Sequence, residues 1–316
     1  MQISSGFSKY PRANRHLTGQ RMKQPSIAPY RLYFAPRAVL QRIMLWWPST
    51  RKPIERCKEW IRTFLLPKGP AWVRVKSGIS AQLSMRLWFP EEAGMWLGEH
   101  EPEVQSAILS AVQPGWVIFD VGSYIGTLAL GAARLVGSTG CVVAFDGDPV
   151  NVTRLREHTI ANALQNILQV VHAAVWSSGA NKTIPFRCGK TMRSQGGVEI
   201  DEYRPILGSG DLINVPVISL DDFVASGSRV PDLIKIDVEG GEMEVLRGGE
   251  KLFAMKRPLI IAEIHTRQAR EDVQRWLTSN AYSASETVLG DPVPTRLFAW
   301  PKEQYPGPWP QSGGVE

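Results

Sequence analysis

The sequence predicts an α/β fold, a doubly wound, mostly parallel sheet with helices on both faces. Three observations carry that expectation. Short apolar runs recur and several close on an acid, as in WVIFD from Trp116, CVVAFD from Cys141 and LIKID from Leu233. Stretches with the length and apolar content of helices, such as GTLALGAARLV from Gly126, lie between them. A glycine-containing turn follows the first run at once. Strands buried on both faces read as near-continuous apolar runs, and strands alternating with helices assemble into a parallel sheet.

At 316 residues, with 43% hydrophobic and 21% charged residues, the chain has an ordinary globular composition and room for one large domain with an extension. Its formal charge of +6 is unevenly spread. Residues 1–70 hold fourteen Lys or Arg against only Glu55 and Glu59, while the remainder holds twenty-two against twenty-eight acids. The basic character therefore belongs to an N-terminal extension and not to the sheet domain. Residues 1–36 mix Pro, Ser, Arg and Tyr without a period and read as a flexible arm. Arg37–Trp47 and Ile54–Leu65 follow as two short amphipathic helices parted by Pro48 and Pro53.

A basic amphipathic pair with tryptophans suits a peripheral membrane contact through residues 37–66. Packing on the sheet domain or on a second subunit is the plainer use of the same pattern, and the oligomeric state stays open. An Arg-rich, acid-poor start also has the composition of an organelle transit peptide. No nucleic acid partner is expected, because no recognised binding module accompanies the charge. Cys57, Cys141 and Cys188 are odd in number, far apart and without a C-x-x-C, which argues against disulfides and zinc-thiolate sites and for a reducing compartment. No apolar run approaches the ~20 residues of a membrane span. A cytoplasmic protein is expected, with the membrane surface as the alternative.

Residues 71–115 lead into the core. Trp72–Phe89 alternates around Ser77-Gly78 as a hairpin would. Met95–Gly115 gives a helix with Val104, Ala107, Ile108, Ala111 and Val112 on one face, ending before Pro114. This unit is expected to fold over the entrance of a pocket. Residues 116–301 form the domain itself. After the strands at Trp116 and Cys141 come a helix at Asn151–Ala161, a third strand at Leu168–Val175 and a fourth at Leu233–Val238. A helix at Glu242–Phe253, a fifth strand at Leu259–Ile264, a helix at Gln268–Ser279 and two last strands at Tyr282–Val288 and Arg296–Trp300 complete it. Residues 176–230 are an insertion rich in Gly and Ser, with TIPFRC and NVPVISL as short strands; so long a segment between core elements is a lid or substrate loop. Residues 302–316 are a Pro/Gly-rich tail.

Open α/β sheets bind ligands at the carboxyl edge of their strands, so Asp120, Gly122 and the turn behind them should face a pocket. Gly122 lets the backbone turn sharply, and Gly126 lets the following helix sit close on its strand. Asp146 closes the next strand about 20 residues on, where an acid suits the two hydroxyls of a ribose. Three residues separate Gly122 from Gly126 and no G-x-G-x-x-G is present. A dinucleotide pyrophosphate needs the closer glycines, whereas S-adenosylmethionine has no phosphate and only its methionine end to cradle.

The runs DVGSYIG, FDGDP with NVTRLREHTIAN, VISLDDF, DLIKIDVEGGEMEVLRGGEKLF and RPLIIAEIH, in this order, resemble the FkbM family of class I S-adenosylmethionine-dependent methyltransferases. The resemblance is strong over Met95–His265, weak to about Pro301, and leaves residues 1–70 aside. It implies a seven-stranded sheet with a reversed final strand, and methyl transfer to a hydroxyl of a sugar, glycan or small natural product. It also implies a cofactor site at Asp120, Gly122, Ser123, Tyr124, Gly126 and Asp146. Ser123-Tyr124 stands where the family usually has Ala-Asn, and Asp146-Gly147 where it usually has Glu-Pro.

Methyl transfer from a sulfonium needs positioning more than electrophilic help, but an alcohol acceptor must lose its proton to a base. Asp237 and Glu239 close the fourth strand, and Glu263 and His265 the fifth. His265 is the expected base, because imidazole titrates near neutral pH while a carboxylate needs a raised pKa; Glu239 and Asp237 are the other expected catalytic residues. They could also hold a divalent cation, but no tight metal motif is present and no metal is expected. Lys235 and Glu242 fit a buried ion pair as well as a substrate contact. Two other functions stay in view: a cofactor-binding scaffold without activity, and a nucleotide-dependent oxidoreductase, which the glycine spacing disfavours.

Overall fold

The computed structural model describes residues 68–177, 183–189, 196–199, 210–290, 293–305 and 309. The helices expected at Arg37–Trp47 and Ile54–Leu65 lie outside the described residues.

A hairpin of β1 (Gly69–Arg74) and β2 (Ser84–Phe89) opens this part of the chain, followed by α1 (Ala93–Leu97) and α2 (Pro102–Ala111). The single helix expected over 95–115 is thus two. Gly98 ends α1 in the left-handed conformation at φ +73°, and Pro102 then starts α2, where its missing N–H costs nothing.

The central sheet has seven strands in the order β12-β13-β11-β10-β3-β4-β5. They are β3 (Val117–Val121), β4 (Cys141–Asp146), β5 (Leu168–His172), β10 (Leu233–Ile236), β11 (Leu259–Ile264), β12 (Tyr282–Val288) and β13 (Thr295–Pro301). Pairing is parallel from β11 through β5, and β13 runs antiparallel to both of its neighbours. This is the expected doubly wound sheet with one reversed strand. Every residue of β3, β10 and β13 is buried, which is why these strands read as largely apolar runs, broken only by Asp120, Lys235, Thr295 and Arg296.

Helices α3 (Thr127–Val136) and α4 (Pro149–Ala161) pack on one face together with the hairpin unit. The other face is covered by α5 (Leu220–Ala225), α6 (Glu242–Arg247), α7 (Glu250–Met255) and α8 (Arg267–Ser279). Local capping sets their starts. Asp148, Ser219 and Thr266 accept from the backbone N–H of Val150, Asp222 and Ala269 at 2.8, 3.0 and 3.0 Å.

Two further expected elements divide. The run 168–175 leaves the main sheet at Ala173, and its end, β6 (Ala174–Val175), enters a second sheet of order β6-β9-β7-β8. The insertion supplies the other strands, β7 (Thr183–Arg187), β8 (Gly197–Val198) and β9 (Leu212–Ile218), around a small core of Ala174, Phe186, Val198 and Val215. The helix expected over 242–253 breaks at Gly248-Gly249 into α6 and α7. A Cβ at Gly248 would lie 2.4 Å from the Trp176 carbonyl oxygen, so the break lets the insertion come close.

Candidate active site

A cavity of about 480 Å³ lies at the carboxyl ends of β3, β4 and β10. Asp120 to Tyr124, Asp146, Asp237 and Glu239 line its floor, Trp88, Glu92 and Glu101 belong to the hairpin unit on one side, and Trp176, Phe186 and Val198 come from the small sheet. The hairpin unit and the insertion therefore both wall the pocket.

The glycine turn is bound to the end of β4. Backbone N–H groups of Gly122 and Ser123 donate to the Phe145 carbonyl at 3.0 and 2.9 Å, and Ser123 Oγ donates to the same oxygen at 3.2 Å. Gly122 has φ +77°, and a Cβ there would lie 1.7 Å from the Asp237 carbonyl oxygen, so no larger residue fits between β3 and β10. Tyr124 N–H donates to Asp146 Oδ2 at 2.8 Å, while Asp146 Oδ1 accepts from Asp148 N and Asn151 Nδ2 at 2.8 and 3.3 Å. Burial pushes the Asp146 carboxyl up to about 7 against these hydrogen bonds.

Asp120 is 3% exposed, and its Oδ1 accepts no hydrogen bond. Lys235 Nζ stands 3.8 Å from it, donates to Asp237 Oδ2 at 3.1 Å and to the Gly122 carbonyl at 3.2 Å. Burial raises Asp120 to about 6, with Lys235 pulling the other way. The Lys235 ion pair is thus with Asp120 and Asp237, and not with Glu242.

The acids at the ends of β10 and β11 converge on one imidazole. His265 Nδ1 lies 2.8 Å from Glu242 Oε1, and Nε2 lies 3.1 Å from Glu239, 3.6 Å from Asp237 and 3.6 Å from Glu263. Burial works against charge on this ring, yet hydrogen bonds with Glu242 and Glu263 and the field of Glu239 hold its pKa well above the ordinary imidazole value. His265 is not among the residues lining the cavity, whereas Glu239 and Asp237 are. The structure sets the expected base, His265, against carboxylates and not against the cavity, and the direction of its pKa shift favours the protonated ring. Burial, helped by Asp237, Glu242 and Glu263, pushes Glu239 up to about 8 against the opposing pull of His265. Asp237, Glu239 and His265 offer ligand atoms within 4.8 Å of one another, as do Glu101, Asp237 and Glu263; either spacing admits a divalent cation.

Residues that the sequence did not announce complete the walls. Glu92 and Arg154 form a buried bidentate pair, and Glu92 also accepts from the Tyr124 hydroxyl at 2.8 Å. Arg296 on β13 pairs with Glu263 and Glu103 at 2.7 and 2.8 Å and approaches Glu101 at 3.7 Å, fixing the start of α2 over the site. The partners stand 32 to 195 positions apart, beyond the reach of any periodicity.

The methyltransferase FkbM domain matches residues 120–284, just over half of the chain. The chain belongs to the FkbM methyltransferase family. It is 26% identical over 250 residues to the hexuronic acid methyltransferase AglP of Haloferax volcanii, a match covering 75% of this chain and 92% of that protein. It is 27% identical over 228 residues to the 31-O-demethyl-FK506 methyltransferase FkbM of Streptomyces tacrolimicus, covering 65% and 82%. The crystal structure of methyltransferase FkbM from Methylobacillus flagellatus KT is 20% identical, with a TM-score of 0.42 over 58% of this chain and 43% of that one.

As an FkbM methyltransferase the enzyme depends on S-adenosylmethionine. The cavity fits that cofactor. The open acceptor on Asp120 suits a cationic donor, and Asp146 keeps lone-pair capacity for hydroxyls beyond its three hydrogen bonds. The glycine turn holds both acids at one rim.

Proposed function

We propose that this FkbM methyltransferase transfers the methyl group to a hydroxyl of a sugar, glycan or small natural product, with Glu239 as the general base. The observation that carries this reading is geometric: Glu239 lines the cavity beside Asp237 with His265 3.1 Å behind it, and burial with the neighbouring acids pushes its carboxyl up to about 8. A base poised near the working pH is the useful kind. The relatives named for a hexuronic acid and for 31-O-demethyl-FK506 both point towards oxygen acceptors.

When bound, S-adenosylmethionine supplies a methyl group on a sulfonium, open to in-line displacement with a neutral leaving group. The chain's own part is to position and to take a proton. Asp146 would accept from the ribose hydroxyls, and Asp120 stands where positive charge is welcome. The Glu239 carboxylate, whose Oε2 is backed by His265 at 3.1 Å, takes the proton of the acceptor hydroxyl, with Asp237 as a second acceptor beside it. His265, kept protonated, holds the Glu239 carboxylate in place from behind. A carboxylate acceptor would meet like charge at Asp237 and Glu239, whereas a hydroxyl has a proton to give them.

Screening hydroxylated acceptors by mass spectrometry for S-adenosylhomocysteine and methylated product tests the reaction. Glu239→Gln is expected to lower kcat by at least about a hundredfold and to leave S-adenosylhomocysteine affinity within about twofold; retained turnover would remove Glu239 from the role of base.

A further inference from the structure

Tyr124 is the one non-glycine residue between Gly122 and Gly126 with a positive φ, +50°. Asn and Asp visit this left-handed region readily because their short polar side chains bond locally; a tyrosine has no such group near its backbone. Its backbone nonetheless does a specific job, since the N–H donates to Asp146 Oδ2 at 2.8 Å.

The support lies at the far end of the ring. The hydroxyl donates to Glu92 Oε1 at 2.8 Å. Arg154 donates to both oxygens of Glu92 and to the Arg86 carbonyl, and Trp88 N–H donates to Glu92 Oε2 at 2.8 Å. Glu92 is 1% exposed and Arg154 4%, so the pair is rigid, dry and anchored on two elements. Glu92 precedes the matched segment 120–284 and comes from the hairpin unit.

We propose that Tyr124, Glu92 and Arg154 are positioning residues for the cofactor: the buried pair grips the phenol, the phenol holds the turn in its left-handed conformation, and the turn's N–H orients the Asp146 carboxylate. The capping unit thereby sets cofactor affinity through a residue that need not touch the cofactor. The inference rests on the family's cofactor and is independent of the acceptor and of Glu239.

Calorimetric titration of the full chain with S-adenosylhomocysteine tests it. Tyr124→Phe, which removes only the hydroxyl, is expected to weaken binding about tenfold, with the loss appearing in KM for S-adenosylmethionine and not in kcat. Glu92→Gln should weaken binding to a similar extent in the wild-type background. In a Tyr124→Asn background, where the side chain supports the left-handed turn unaided, Glu92→Gln should change it by less than about twofold. Affinity of Tyr124→Phe within twofold of wild type overturns the proposal, and so does an equal effect of Glu92→Gln in both backgrounds. Should Glu92→Gln not fold, the Tyr124→Phe titration decides alone.

Discussion

Asp146 and Glu239 are acids that burial holds nearer to their protons than water would, and each gives the enzyme a pH signature. Asp146 is raised to about 7, and ribose hydroxyls bond best to the charged carboxylate. S-adenosylhomocysteine affinity should therefore weaken below pH 7, approaching about tenfold per pH unit, and Asp146→Asn should lower the affinity and flatten its pH dependence in calorimetry. Glu239 is raised to about 8, so kcat should climb with pH and level off above about 8 in a rate profile at saturating substrates. The acids themselves were legible in the sequence, since a carboxylate closing an apolar run marks the ligand edge of a sheet. Their division of labour was not. An isolated histidine is the natural base, but His265 meets Asp237, Glu239, Glu242 and Glu263, and only the register of β10 beside β11, with α6 behind them, reveals that four carboxylates surround one ring.

Elements were read best where burial is one-sided in its demands. The ends of β4 and β11 match the apolar runs residue for residue, because a strand covered on both faces is apolar over nearly its whole length and holds an inner acid such as Glu263 only with a partner, here Arg296. The run 168–175 and the helical stretch 242–253 were read too long: the first leaves the sheet to pair with β9 of the insertion, which no local signal announces, and the second breaks at Gly248-Gly249, a local signal passed over, where Trp176 comes close. The start of α3 shows how little freedom such a contact leaves. Gly126 has φ +85°, and a Cβ there would come within 2.0 Å of Leu155 Cδ1 on α4. Gly126→Ala combines backbone strain with overpacking and should cost about 2 kcal/mol. A thermal melt should show Tm lowered by about 5 °C.

For the molecule as a whole, the joint between the hairpin unit and the sheet domain is a titratable one. His158 on α4 is fully buried, accepts from Arg86 N–H at Nε2 (2.9 Å) and donates from Nδ1 to the Ile125 carbonyl (2.9 Å). Only the neutral ring with its proton on Nδ1 satisfies both, and burial accordingly lowers its pKa to about 4. The unfolded chain thus binds more protons between pH 4 and 6.5. The stability from this group is complete above about pH 6.5 and drains away as pH falls towards 4, by up to about 3 kcal/mol. Urea midpoints of wild type and His158→Gln should converge on acidification, the difference cancelling the opposite slope of the buried aspartates. Nothing in the sequence marks His158, which lies in the last turn of α4 between Glu157 and Thr159 and is fixed by β2 more than seventy positions earlier. The small sheet leans on the main one just as tightly: a Cβ at Gly147 would sit 2.5 Å from the Phe186 ring. A single aromatic ring therefore occupies the room a proline would take after Asp146, and evolution can exchange the two only together, shrinking position 186 in the same stroke that fills position 147.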